Sequence, residues 1–142
     1  MKSDFPNSPD RIPDPRIFTL EEANAMIPIF AEMLMEINAL KNSVVTVIES
    51  KAPLSKTNGH LKHDSHEAHE DMALVSDAAG RITELMDQIN RSGAELKDLD
   101  MGLVDFLHRR EGRIVYLCWM YGEEEINFWH ELDAGAAGRR PL

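Results

Sequence analysis

Apolar residues recur with helical spacing in two stretches of the chain. In the first, between about Ile29 and Ser50, they advance by alternate steps of four and three residues along one face, at Met33, Ile37, Leu40, Val44 and Val47. In the second, the same alternation continues over about three heptads, at Ala68, Met72, Val75, Ala79, Ile82, Met86 and Ile89. A polar segment with Pro, Asn and Gly, 51–60, separates the two stretches, and Gly93 is a plausible helix stop. The pattern predicts a long antiparallel helical hairpin over 19–92.

The start of the first helix carries two local signals. Thr19 followed by Glu22 forms a capping-box pattern, in which each side chain reaches a free backbone N–H of the first turn. Pro28 then interrupts the pattern, so either a short helix ends near Ile27 and a second begins at Pro28, or one helix kinks there. We favour the first alternative. Residues 1–18 hold four of the seven prolines, which predicts a flexible Pro-rich arm.

After Gly93 the spacing changes to that of strands. Three short runs rich in Val, Ile, Phe, Tyr and Trp are separated by turn-like segments that contain Gly112 and Gly122. We predict antiparallel strands at about Leu103–His108, Arg113–Met120 and Glu125–Leu132. The second run is apolar on both faces, which is typical of a central strand. The sequence therefore predicts an α+β fold, in which a small three-stranded antiparallel sheet follows the helical hairpin.

Length and charge indicate the number of domains and exclude some classes of binding partner. A chain of 142 residues is one domain's worth, which we place at 19–142, with the sheet and the C-terminal motif in 93–142. The 15 basic and 25 acidic residues give a formal net charge of −10, which argues against binding to nucleic acid or to an anionic membrane. A single cysteine, no apolar run of about 20 residues and no signal-peptide pattern lead us to expect a cytoplasmic protein.

The segment after the second turn is the richest in chemistry. His130, Glu131 and Asp133 follow one another closely, and all three are candidate metal ligands. Strand alternation places His130 and Glu131 on opposite faces, so both could bind one ion only if the strand ended near Trp129 or bulged there. His130 and Asp133 could converge once the chain leaves the sheet. The alternative is a structural hydrogen-bond network that anchors the C-terminal turn.

The tail DAGAAGRRPL is a second candidate. Gly135 and Gly138 allow close approach of the backbone to a ligand, and Arg139 with Arg140 could clamp a carboxylate or phosphate. The alternative is that these arginines pair with the protein's own glutamates.

A histidine tract around 60–71 is a third and weaker candidate. Its members recur every three residues at His60, His63, His66 and His69. On a helix His66 and Glu70 share a face, so His66, His69 and Glu70 could form a weak surface site for a metal such as zinc. The spacing of three rotates about 60° per step, so all four histidines cannot face one ion. An exposed, solvated helix entry is the simpler interpretation.

Other residues with reactive groups have plain structural interpretations. Cys118 lies in the central strand, where a thiol usually behaves as a small apolar group, and no second cysteine is present to form a Cys-rich zinc site. The acidic run 123–125 is expected to be a solvated turn. The sequence contains no phosphate-binding glycine loop and no serine-hydrolase elbow.

Several segments together resemble a known family. They are FTLEEAN, LKDLDMGLVDF, LCW and the long C-terminal stretch GEEEINFWHELDAGAAGRRP. The chain from Phe18 onward is similar to the bacterial family catalogued as domain of unknown function 2203. The family implies no activity, because its members are uncharacterised.

Two functional hypotheses follow. The first is a non-enzymatic interaction module that forms a homo-oligomer, most simply a dimer, through its helices, because a two-helix hairpin leaves apolar surface uncovered. The second is a protein that binds a divalent metal such as zinc, or a small anion, through His130, Glu131, Asp133 and Arg139. We favour the first, since no set of residues completes a catalytic site.

Overall fold

The computed structural model describes residues 14–51 and 65–142 and contains two helices and five strands. Helix α1 spans Leu20–Lys51 and helix α2 spans Ser65–Arg91. The strands are β1 (Glu95–Asp98), β2 (Leu103–Arg110), β3 (Arg113–Met120), β4 (Phe128–His130) and β5 (Arg140–Pro141). They form one antiparallel sheet in chain order, β1-β2-β3-β4-β5. The predicted α+β class is confirmed.

The sheet has five strands, so the prediction of three is wrong in number. The bounds of β3 agree with the prediction, and β3 is the middle strand, as its two apolar faces indicated. The strands missed are β1 and β5, with sequences ELKD and RP, which lack the apolar alternation that identifies a strand. They are strands because the neighbouring edges of β2 and β4 supply hydrogen-bond partners.

Helix α1 runs through Pro28 without a break, so the prediction of a short helix ending near Ile27 is wrong. Proline removes one backbone donor and crowds the preceding turn. Buried side chains on both sides of it, Ile27 and Phe30, hold the two halves of the helix on the same core. Tertiary packing therefore outweighs the local preference. The predicted capping box is present, with reciprocal hydrogen bonds between Thr19 and Glu22 that also lower the pKa of the Glu22 carboxyl.

The two helices contact each other along their lengths. Arg81 pairs with Glu36 across them at 2.7 Å, and Val47 of α1 lines one groove together with Val75 and other residues of α2. Gly93, with φ of 101°, follows the end of α2 as predicted. The connecting residues 52–64 lie outside the described part of the chain, and the hairpin stays a prediction.

The hydrophobic core lies between one face of the sheet and the sheet-proximal halves of the helices. Trp119, Phe106 and Leu117 are fully buried there. Phe106 packs against Phe18 at 5.2 Å and against Phe30 at 6.0 Å between ring centroids. The backbone N–H of Phe18 also donates to the carbonyl of Leu107. The core therefore joins α1, Phe18 at two residues before it, and the sheet.

Residues 14–18 are the only part of the predicted N-terminal arm that the structure describes; the rest, 1–13, lies outside it. Within the described residues no helix is long and apolar enough to cross a membrane.

Candidate functional site

The face of the sheet that points away from the helices carries a buried polar cluster. Asp105 of β2 lies directly opposite Cys118 of β3, and His130 of β4 lies opposite Tyr116 of the same strand. Paired residues share a face of an antiparallel sheet, so these side chains project together. The small side chain of Cys118 lets Asp105 and His130 meet over the strand between them, with His130 Nε2 at 3.1 Å from Asp105 Oδ2. All three residues are buried.

Hydrogen bonding defines the state of the His130 ring. Its Nδ1 lies 2.7 Å from the backbone carbonyl of Glu131, which can only accept, so Nδ1 carries a proton. In a neutral imidazole Nε2 then bears a lone pair, and this lone pair points at a carboxylate oxygen of Asp105. Two acceptors facing each other at this distance need a proton or a cation between them. A metal-binding histidine characteristically donates its other N–H to a carbonyl in this way.

The other two members of the cluster, Asp105 and Cys118, have atoms that could still bind a ligand. Asp105 Oδ1 is buried and has no hydrogen-bond partner among the described residues. Burial raises the pKa of the Cys118 thiol to about 12, and the nearby carboxylate of Asp105 adds to this shift. A positive ion at this point would compensate the buried carboxylate and favour the thiolate.

The cluster matches the donor set of a borderline metal such as zinc. One ligand atom from each of Asp105, Cys118 and His130 lies within 4.8 Å of the other two. Bonds of about 2.0–2.3 Å at tetrahedral angles would place such atoms roughly 3.3–3.6 Å apart. The Nε2–Oδ2 distance of 3.1 Å is already close to that value, and the Cys118 sulfur lies within 4.8 Å of the ligand atoms of the other two residues.

The same geometry does not suit a cysteine nucleophile. Such a thiol needs an imidazole nitrogen as its base, with the other nitrogen held by a third group. In His130 one nitrogen faces a backbone carbonyl and the other faces Asp105, so neither is directed to Cys118. The raised thiol pKa also opposes formation of the reactive thiolate.

The motif Trp129-His130-Glu131 divides between the two sides of the sheet. Trp129 belongs to the core beside the helices, and three guanidinium groups cover its ring at 4.8–5.7 Å from the centroid, those of Arg110, Arg113 and Arg140. Glu131 pairs with Arg113 at 2.5 Å. His130 alone points into the buried polar cluster. The predicted separation of His130 from Glu131 therefore agrees with the contacts that each side chain makes.

The remaining candidates of the C-terminal motif lie around the cluster. Asp133 is exposed in the turn after β4, and the carboxylate beside His130 is that of Asp105. Gly135 lines a cavity above His130, whereas a Cβ at Gly138 would lie 2.7 Å from that of Ala134. Close packing within the turn, and not approach to a ligand, accounts for Gly138.

Arg139 forms the internal ion pair that was the alternative to a ligand clamp. It contacts Glu123 Oε1 at 2.6 Å, and its guanidinium stacks on Phe128 with the carbon 4.2 Å from the ring centroid. Glu123 Oε1 also accepts the backbone N–H of Met120. Glu123 is therefore a structural residue, and the prediction that this acidic run is only a solvated turn is wrong at that position.

The histidine tract is described only in part. His60 and His63 lie outside the described residues, and the side chain of His66 does too. His69 and Glu70 are exposed on α2. Among the side chains that the structure describes, Asp105, Cys118 and His130 form the one group of three or more potential metal ligands.

Sequence reasoning identified His130 but missed its two partners. Cys118 was interpreted as a core thiol, and it is indeed buried, but on the polar side of β3. Asp105 drew no attention, although an acidic residue inside the apolar run GLVDFL is a signal in itself, because an isolated buried carboxylate is costly.

A family model described as "Uncharacterized conserved protein (DUF2203)" matches residues 16–142. The chain belongs to the DUF2203 family. The match confirms the resemblance seen in the C-terminal motif and covers every strand, both helices and the buried polar cluster of this DUF2203 protein. No curated protein and no solved structure matches the chain.

Proposed function

We propose that this protein binds a divalent transition metal, most simply zinc, through Asp105, Cys118 and His130. The observation that carries the proposal is the contact of 3.1 Å between His130 Nε2 and Asp105 Oδ2, with His130 Nδ1 held by a backbone carbonyl and the buried thiol of Cys118 nearby. A metal ion at this point satisfies all three donors and replaces the thiol proton. The proposal replaces Glu131 and Asp133 of the sequence-based ligand set with Asp105 and Cys118.

The donor types favour zinc over harder ions. Magnesium and calcium prefer oxygen ligands alone, whereas a thiolate with an imidazole and one carboxylate suits zinc and its neighbours in the transition series. The carbonyl of Glu131 holds the His130 ring in the required tautomer. Because Glu131 is itself held by Arg113, the outer contacts of the site are preorganised.

The test is metal binding by untagged protein. Elemental analysis of the purified protein, followed by titration of chelator-treated protein with Zn²⁺ and Co²⁺, should give one tight site per chain with a cobalt–thiolate absorption band. Cys118→Ala should abolish the band, and His130→Gln and Asp105→Asn should each weaken binding by roughly 10-fold or more.

Two matched variants separate this site from the sequence-based alternatives. His69→Gln removes an exposed histidine of the tract, and Asp133→Asn removes the exposed acid after β4. Both should leave the affinity unchanged. Loss of binding in His69→Gln with retention in Cys118→Ala would assign the metal to the histidine tract and overturn the proposal.

A second candidate function is self-association through the outer parts of the helices. Here Val47, Ala68, Met72, Val75 and Ala79 line an apolar groove of about 410 Å³. Met72 is 71% exposed, and Ile48 is 59% exposed. Two copies related by a two-fold axis would each present a methionine and a groove, which is the self-complementarity that a dimer interface requires.

Light scattering over a range of concentrations tests this second function. A dimer at tens of micromolar is expected, with Met72→Glu shifting it to monomer. Met101→Glu is the matched control, because Met101 is 50% exposed in the turn between β1 and β2. A monomer at all concentrations would exclude this mode of association.

A further inference from the structure

A cavity of about 140 Å³ lies beside Asp105 and His130, two of the three proposed metal ligands. Asp105 and His130 line its floor, and Lys97, Tyr116, Leu132 and Gly135 line its walls. At about 30 Å³ per water molecule it has room for four to five waters. That volume suits a ligand of the size of acetate, bicarbonate or phosphate.

Three protein ligands leave a fourth position of a tetrahedral metal. Structural zinc sites are closed by four protein ligands, whereas sites that bind or transform ligands have three and an open position. Within the described residues no fourth His, Cys, Asp or Glu joins the cluster. Since two of the three ligands, Asp105 and His130, line the cavity, a ligand bound there could reach the open position of the metal.

The wall of the cavity carries a cation, Lys97, which lies in an irregular part of β1. Between Leu96 and Asp98 the register of β1 against β2 shifts, so Lys97 is the additional residue of a β-bulge. Such bulges redirect a side chain and are common beside functional sites. The Lys97 ammonium lies 4.9 Å from the centroid of the Tyr116 ring, and it is 3.1 Å from Glu95 Oε1.

The cavity therefore combines a metal position on its floor with an ammonium and a phenol on its wall. The carboxylate of Glu95 pairs with the Lys97 ammonium and also interacts with the Tyr116 hydroxyl. An ammonium has three N–H donors, so Lys97 keeps donors for a further ligand, and the metal adds positive charge. The aliphatic side chain of Leu132 completes the enclosure without adding charge. A ligand with several oxygens and a negative charge fits this arrangement.

We propose that the cavity binds a small oxyanion, a carboxylate, bicarbonate or phosphate, as the fourth ligand of the metal, with Lys97 and Tyr116 as its hydrogen-bond donors. This inference rests on the proposed function, since it needs the metal bound by Asp105, Cys118 and His130. It makes the site one that exchanges a ligand, in contrast to a purely structural metal centre. Lys97 and Tyr116 bind the anion and do not bind the metal.

The experiment uses the cobalt-loaded full-length protein, whose visible spectrum reports the metal's coordination. Acetate, bicarbonate and phosphate are titrated separately at constant ionic strength, with perchlorate as the weakly coordinating reference. A saturable spectral change with at least one of the three is expected, and the relative affinities distinguish carboxylate from phosphate as the ligand.

Variants of the wall separate this proposal from metal binding itself. Lys97→Met should weaken anion binding by about 10-fold or more, because one charge-assisted hydrogen bond is lost. The affinity for cobalt should stay unchanged. Lys41→Met is the control: Lys41 pairs with Asp100 at 2.6 Å and does not line the cavity. This variant should change neither the anion affinity nor the cobalt affinity. Tyr116→Phe should weaken anion binding by a smaller factor than Lys97→Met.

The possible failures are distinguishable. Cobalt that binds through Cys118 but shows no spectral change with any anion would overturn the oxyanion proposal and leave the proposed function intact. Anion binding that is equally strong in Lys97→Met and Lys41→Met would overturn the assigned site. Absence of cobalt binding altogether would overturn both proposals.

Discussion

The two faces of strand β3 differ in what their buried residues do. On the helix side, Val115, Leu117 and Trp119 are fully buried and pack against apolar residues of the core. On the other side, Cys118 is equally buried but lies beside a carboxylate and an imidazole. One strand thus contributes alternate residues to a hydrophobic core and to a polar cluster.

The comparison teaches where function is to be sought. Burial of Trp119 stabilises the fold by removing apolar surface from water. Burial of Asp105 with an unpartnered oxygen does the opposite, because a desolvated carboxylate is costly unless its charge is compensated. A residue that is buried at a cost to stability is the better candidate for a binding role.

The cover over the polar face is also different in kind. The core lies under two long helices, whereas the polar cluster lies under the loop between β4 and β5, held through Arg139 and Glu123. This loop carries most of the C-terminal motif. A thin cover leaves room for the cavity above His130, which the helices would have filled.

The largest expected effect is on the helix side. Phe106→Ala should lower the free energy of unfolding by about 3–5 kcal/mol, since it deletes a fully buried ring between Phe18 and Phe30. Leu107→Ala, at the next position on the half-buried outer face, should cost clearly less. Urea denaturation of the metal-free proteins measures both. An equal or larger cost for Leu107→Ala would remove the distinction between the faces.

The next largest effect is the stabilisation of the protein by zinc, which should depend on the polar face alone. Zinc at about 100 times its Kd should raise the free energy of unfolding by about 2.7 kcal/mol, because it binds the folded chain. In Cys118→Ala the gain should vanish, while the metal-free variant should lose only about 1 kcal/mol. Denaturation with and without zinc provides the four values. A full zinc gain in the variant would place the metal elsewhere.

A smaller loss of stability is expected when the loop that covers the polar face is loosened. Arg139→Ala should cost about 1–3 kcal/mol, because Glu123 would keep a mostly buried carboxylate without its partner. Arg81→Ala is the matched control, since its pair with Glu36 is more exposed and should be worth less than about 1 kcal/mol. Thermal and urea unfolding compare them. Similar costs would mean that the Arg139–Glu123 pair behaves as a surface contact.

The smallest effect concerns pH in the metal-free protein. The Cys118 pKa is about 12 in the folded chain against an ordinary value near 9, so the unfolded chain loses this proton first. Stability that is complete below about pH 9 is therefore lost progressively as the pH rises toward 12. From pH 8 to pH 10 the loss should be about 1.4 kcal/mol.

Comparison with Cys118→Ala isolates this term, because lysines and tyrosines that titrate in the same range cancel between the two proteins. A variant with the same pH dependence as the unmodified chain would show that the folded thiol titrates normally.

Part of the fold could be predicted because the signals are local. The bounds of β3 follow from its alternation and from the flanking turn glycines, and the capping box at Thr19 follows from spacing alone. The continuity of α1 through Pro28 could not be predicted, since it depends on buried residues on both sides of the proline. The edge strands β1 and β5 depend likewise on their neighbours.

The helix faces show a subtler difference. Of the predicted stripe of α2, Ile89 is buried and Ile82 and Met86 pack against the core, whereas Met72 is exposed. The structure also buries Ala78 and Leu85, which lie beside the stripe. The buried face of α2 is therefore rotated relative to the face that the heptad pattern predicts. Periodicity identifies a helix and its approximate face, and the sheet and α1 decide which residues are covered.

The sequence by itself determined the α+β class, the central strand and the family. Only the tertiary structure decided the partners of His130. Asp105 is 25 residues away and reaches it across β3, over a cysteine small enough to let the two side chains meet. Spacing along a chain reports neighbours within one element, whereas a site built across three strands depends on register. That register is set by the pairing of the strands and by the core on their opposite face.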